Sequence, residues 1–154
     1  MKEECCMAYK AKDVAEWFLS KEAMSPKKLQ KLTYYAEAWS NALLNRSMIS
    51  DDKFQAWVHG PVSPVLYQTY KDYKWNDIPK VEDNSSEFDT DDLDLLESVW
   101  LTYGENSAND LEALTHTESP WLNARAGLCD DDISNNLIST DDMREYYSKI
   151  YIGD

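Results

Sequence analysis

Glycine is scarce in this chain of 154 residues, with only Gly60, Gly104, Gly127 and Gly153. Phosphate-cradling loops need several glycines at close spacing, so nucleotide-dependent chemistry of that kind is excluded. Cysteine is scarcer, three in all, with Cys5 and Cys6 adjacent. An odd count builds no complete disulfide framework, and neighbouring cysteines are badly placed to bond each other. The two histidines, His59 and His116, are far apart and no C-x-x-C occurs, so no zinc ligand set and no other metal site is expected. No stretch approaches the roughly 20 apolar residues of a membrane span. The start, Met1 to Tyr9, lacks the apolar stretch of a signal peptide. These absences predict a cytoplasmic protein without membrane contact. No G-x-S-x-G or comparable nucleophile motif occurs, and nothing in the spacing of the carboxylates singles out an acid/base pair. The chain is therefore expected not to be an enzyme and to need no cofactor.

Leu, Ile, Val and Phe are also few, just under a fifth of the residues, and the net charge is -14. That combination alone falls on the disordered side of the compositional rule. Six Trp, ten Tyr and three Phe tip the balance back towards folding, because each aromatic ring carries a large apolar area. One folded domain with an aromatic interior is predicted, spanning residues 10–150 behind a tail of residues 1–9.

Basic residues are missing mainly from the second half. Met1 to Lys74 carries 11 basic and 9 acidic residues, whereas Trp75 to Asp154 carries 4 and 20. Such a balance disfavours direct binding to nucleic acid. The acid clusters are Asp89 to Asp94, Asp130 to Asp132 and Asp141-Asp142. They lack the calcium-loop spacing of alternate acids, a glycine and a distal Glu. We read them as solvated helix starts, where carboxylates oppose the positive end of the helix dipole, with a partner-facing acidic surface as the alternative.

Apolar residues at three- and four-residue steps predict helices over Lys12 to Leu19 and Pro26 to Leu44, the second amphipathic and central. Ser47 to Val58, with an Asp51-Asp52 turn, reads as a short β-hairpin or an extended stretch. His59-Gly60-Pro61-Val62-Ser63-Pro64 breaks regular hydrogen bonding, and Ser63-Pro64 starts a helix over Val65 to Tyr73. Ile78 to Phe88 is polar and is expected to be an exposed, mobile loop. Further helices are expected over Leu93 to Tyr103, Ser107 to His116, Ser119 to Arg125 and Asp141 to Ile150, with Gly127 to Asp132 as loop. The fold class is mostly α: one compact helical domain with a short β-hairpin around residues 47–58.

His59 and His116 each stand at an element boundary beside Trp and Pro. The plain reading is an imidazole that fixes an irregular turn; the functional reading is a place in a partner-binding groove.

Two sequence blocks, in this order and spacing, carry a family likeness: Lys28-Leu29-Gln30-Lys31-Leu32-Thr33-Tyr34-Tyr35-Ala36-Glu37-Ala38-Trp39, then Phe54-Gln55-Ala56-Trp57-Val58-His59-Gly60-Pro61-Val62-Ser63-Pro64-Val65-Leu66-Tyr67. Leu114-Thr115-His116, Ser119-Pro120-Trp121, Arg125 and Ile133-Ser134 extend it. With these blocks the chain resembles the Panacea, or SocA-like antitoxin, domain, formerly a phage-associated domain of unknown function. The resemblance implies a helical module that neutralises a protein toxin, encoded by an adjacent gene, or delivers it to a Clp-type protease. It also implies partner contacts at His59, Tyr67, His116, Trp121 and Arg125, with Trp39, Trp57, Gly60, Pro61 and Pro120 as structural residues and the two Trp in the core. No helix-turn-helix segment fits beside the domain, so autorepression by this chain alone is not expected. A second functional reading is an acidic phage or mobile-element inhibitor that mimics nucleic acid and blocks a basic groove.

Overall fold

The computed structural model describes residues 8–153, and seven α-helices and one two-stranded antiparallel sheet occur among them. Helices α1 (Ala11–Leu19) and α2 (Pro26–Leu43) come first, followed by strands β1 (Gln55–Trp57) and β2 (Gly60–Val62). Helices α3 (Pro64–Tyr70), α4 (Thr90–Tyr103), α5 (Ala108–Thr115), α6 (Ser119–Ala124) and α7 (Thr140–Gly153) complete the chain. The mostly helical class is as expected. Cys5 and Cys6, and the tail up to Met7, lie outside the described residues. Tyr9, assigned to that tail from sequence, is built into the fold. Its N–H donates to Met48 O at 2.7 Å, its ring meets Phe88 at 4.6 Å, and its hydroxyl donates to Asp92 at 2.8 Å.

The helix starts follow local chemistry. Ser25 and Ser63 accept hydrogen bonds from the N–H groups of Lys28 and Leu66, each with Pro in the following turn. Ser107 and Asp110 form a reciprocal capping box at the start of α5. The adjacent acids Asp51-Asp52 do not make the expected hairpin turn. Asp51 accepts the Ala11 N–H at the start of α1, and Asp52 accepts the Val65 N–H and Ser63 hydroxyl at the start of α3. A carboxylate beside a helix start satisfies N–H groups that have no partner within the helix, and here two neighbouring acids serve two different helices.

Helix α2 is central and amphipathic in sequence, but over Leu29–Ala38 its polar face is buried as well. It packs against α1, α3, α4, α5, α7 and β2, and every residue from Leu29 to Ala38 is buried. With no solvent face left along that stretch, Gln30 and Glu37 bind the backbone of later segments, as does Ser40 one turn on. Gln30 takes the Ser63 N–H at 2.7 Å and donates to Ser63 O at 3.0 Å. Glu37 accepts the N–H groups of Met48 and Ile49 at 2.8 and 3.0 Å. Ser40 donates to Arg46 O at 2.7 Å. Through these contacts one helix fixes the path of the irregular segment that leads into the sheet.

The core is aromatic, as composition predicts: Trp17, Phe18, Tyr34, Tyr35 and Tyr147 are fully buried, and Tyr103 stacks on Tyr35 at 4.0 Å. Buried Glu118 accepts the Tyr35 and Tyr147 hydroxyls at 2.9 and 2.6 Å. Trp39 is only partly buried, at the edge of this cluster, and donates to the Tyr103 hydroxyl.

Three further expectations need correction. The hairpin lies at 55–62 rather than 47–58, and it contains Pro61. Pro61 pairs with Ala56, whose own N–H turns away to Asn136 O at 2.8 Å. Antiparallel pairing alternates between bonded and unbonded pairs, so a proline at an unbonded pair costs no ladder bond. The segment 78–88 is largely exposed, as expected, but it is anchored rather than free: Ile78 bridges Met24, Asn84 donates to Asp13 O, Ser85 accepts from Trp17, and Phe88 is buried. Finally, Asp92 in the first turn of α4 is not solvated. It is wholly buried, where it accepts from Tyr9 and pairs with Arg46 at 2.8 Å.

Candidate partner-binding site

The hairpin turns through Val58 and His59, with Trp57 paired to Gly60. Gly60 has φ +115°, a conformation that L side chains rarely adopt, so glycine closes the turn. This places His59 at the tip with its side chain 74% exposed. Its Nδ1 lies 3.0 Å from Glu112 Oε2 on α5, and Glu112 is also ion-paired with Lys27 on α2. Burial pushes the Glu112 carboxyl up, but hydrogen bonds from Lys27 and His59 outweigh it and hold the group below the usual carboxylate range.

Beside the tip, the Trp57 ring meets Tyr67 of α3 at 5.0 Å, and its N–H donates to Gln55 Oε1 at 2.8 Å. Tyr67 is 43% exposed and Trp57 half-buried outside the main core cluster, so Trp57 belongs to the surface rather than to the interior expected of it. His59, Trp57 and Tyr67 therefore form an imidazole and aromatic face on a short, stiff turn.

Trp121, His116 and Arg125 support that face from behind. Trp121 is buried and donates to Trp57 O at 2.9 Å. His116 stacks nearly parallel on the Trp121 ring at 3.9 Å, and burial lowers the pKa of its imidazole. The Arg125 guanidinium lies 5.0 Å from the same ring. Arg125 is itself buried and donates to the carbonyls of Ala56, Cys129, Asp130 and Asp132. Five N–H donors in a fixed fork suit this gathering of backbone oxygens, so Arg125 ties β1 to the loop after α6. The exposed Asp130–Asp132 run lies, as expected, in a loop, and that loop wraps on Arg125. Pro120, buried in the first turn of α6, sets the start of the helix that carries Trp121.

Lys31 lies beneath the turn and was not singled out from the sequence, although it falls within the first family block. It is 1% exposed, and its amine donates to Pro61 O at 3.4 Å. Burial, with repulsion from Lys27, brings its pKa down to about 7 against the pull of Glu112. Glu112 and Lys27 were missed as well. Local sequence carries no signal for the burial of Lys31: it sits among Lys27, Lys28, Gln30 and Thr33 and reads as part of a polar helix face.

The structure thus brings His59, Tyr67, His116, Trp121 and Arg125 into one neighbourhood, the first two outward and Trp121 and Arg125 inward. Trp39 belongs elsewhere, with Tyr103, Tyr147 and Tyr151 at the far end of α2. Among the described residues no group of three or more His, Cys, Asp or Glu is placed to hold a metal ion. No helix among them is long and apolar enough to cross a membrane. The site offers shape, aromatic surface and a few hydrogen-bonding groups, the ingredients of protein recognition.

No curated protein and no solved structure matches the chain. Residues 29–122, from the first turn of α2 through most of α6, match the family described as antitoxin SocA-like, Panacea domain. That span holds most of α2, the whole hairpin, and the His116 and Trp121 that back it. The match covers more than half of the sequence, and the chain belongs to the SocA-like antitoxin family defined by the Panacea domain.

Proposed function

We propose that this protein is an antitoxin that neutralises a cognate protein toxin by direct, non-catalytic binding through the face formed by His59, Trp57 and Tyr67. The observation that carries the reading is the exposed tip of a hairpin made rigid from below by Lys31, Trp121 and Arg125. A preorganised aromatic face loses little entropy on binding, and aromatic residues dominate the energetic centres of protein interfaces. The acidic second half would speed encounter with a basic toxin surface. In this reading residues 10–150 act as one domain in the cytoplasm, and delivery of the toxin to a Clp-type protease is the alternative outcome of the same contact.

Coexpression with the product of the neighbouring gene tests this. Growth should be rescued and the two proteins should copurify, while H59A/Y67A should lose both effects and keep its fold. A toxic neighbour that is neither rescued nor bound would overturn the reading. If instead neutralising Asp130–Asp132 and Asp91/Asp94 abolished activity while H59A/Y67A retained it, nucleic-acid mimicry would be the better account. Binding that survives about 0.5 M salt, where the Debye length is some 4 Å, would exclude charge mimicry as the main source of affinity.

A further inference from the structure

A second surface lies away from the hairpin, where the end of α2 meets α4 and α7. It is a cavity of about 390 Å³ with an apolar floor of Trp39, Leu44, Leu95, Val99 and Tyr103. Leu43 and Tyr151 stand at its edge, 43% and 68% exposed. Apolar side chains left open in contiguous surface mark interaction sites more often than chance placement does. The wall is one face of α4. Asp91, Asp94, Ser98 and Thr102 follow one another at helical spacing, and all four are exposed. That row rises about 16 Å, the length of three helical turns. None of the lining residues is basic, and neither Asp91 nor Asp94 forms an ion pair with a described residue. The floor therefore asks for apolar anchors, and one end of the wall asks for positive charge.

We infer that this groove docks an amphipathic helix of a partner protein, with apolar anchors at i, i+3 or i+4 and i+7 on the floor and Lys or Arg beside Asp91 and Asp94. Helix-in-groove recognition of this kind draws affinity from the anchors and orientation from the flanking charges. The inference concerns a different surface from the hairpin face and does not require the partner to be a toxin.

The probe is a fluorescein-labelled synthetic helix of Leu and Lys with that anchor spacing, compared with a peptide carrying Glu in place of every Lys. Fluorescence anisotropy with the full-length protein should give a Kd on the order of micromolar at low salt for the Lys peptide, and at least about tenfold weaker binding for the Glu peptide. D91N/D94N should weaken the Lys peptide about three- to tenfold and flatten its salt dependence. S98W, which fills the groove from an exposed position, should weaken it by about tenfold or more, with T102W in its place if S98W does not fold. H59A/Y67A should leave peptide binding unchanged, which separates failure of this inference from failure of the antitoxin reading. The inference is overturned if the Lys peptide does not bind below about 1 mM, if the Glu peptide binds equally well, or if neither groove variant changes affinity. It is also overturned if the protein dimerises and S98W dissolves the dimer, since the occupant is then a second copy.

Discussion

The aliphatic end of Lys31 occupies the space that a side chain at Gly60 would need: a Cβ there would stand 2.5 Å from Lys31 Cε and 3.2 Å from Thr115 Oγ1. The positive φ and the close approach act together at one residue. G60A should therefore destabilise the fold by about 2–4 kcal/mol in urea denaturation. Gly127 is the control, since it has φ +88° but nothing within 4 Å of an added Cβ. G127A should lose only about 1 kcal/mol. Equal losses would mean that contact with Lys31 contributes nothing.

Lys31 and Glu118 should shape the pH dependence of stability in opposite directions. Burial lowers Lys31 from 10.5 to about 7, so between these values the unfolded chain binds more protons and stability rises with pH. Burial raises Glu118 from 4.5 to about 7, so the folded chain binds more protons in that window and stability falls as pH rises through it. Together they give a stability minimum near pH 7. At about 1.4 kcal/mol per pKa unit, each limb is on the order of 3–5 kcal/mol. K31M should flatten the alkaline limb and E118Q the acid limb in melts taken from pH 5 to 10. Glu112, whose carboxyl lies below the usual range, acts below that interval.

Arg125 and the exposed residues of the hairpin face should separate stability from binding. R125K loses the planar fork that gathers four carbonyl oxygens, and about 2–4 kcal/mol of stability should go with it. H59A and Y67A should change stability by no more than about 0.5 kcal/mol each. If partner binding is measured on the same proteins, H59A and Y67A should weaken it with the melting temperature unchanged, whereas R125K should lower both.

Glu37, another buried polar residue of α2, has a specific expected cost. E37A leaves the buried Met48 and Ile49 N–H groups without their carboxylate acceptor. A loss of about 2–4 kcal/mol is expected, with faster hydrogen exchange at those two amides. Unchanged exchange there would show that the loop holds itself in place.

Sequence alone determined what depends on near neighbours. The helix start at Ser63-Pro64 is legible because a cap bonds to an N–H three residues away, and the same local chemistry operates at Ser25 and Ser107. The aromatic core followed from composition, and the family from two blocks of adjacent residues. Tertiary structure decided whatever depends on partners distant along the chain. Helical spacing puts Asp92 on the face of Leu95, Leu96 and Val99 and leaves Asp91 in water, but only the fold brings Arg46 and Tyr9 to the buried carboxylate as partners. Gln30, Lys31 and Glu37 look like the polar face of an amphipathic helix, but packing on all sides gives them backbone partners far along the chain, at Ser63, Pro61, Met48 and Ile49. Pro61 looked like a breaker because the alternation of bonded pairs is set by register with Ala56, not by Pro61 itself. A buried polar group must find a partner wherever the fold places one, and that partner need not be close in sequence.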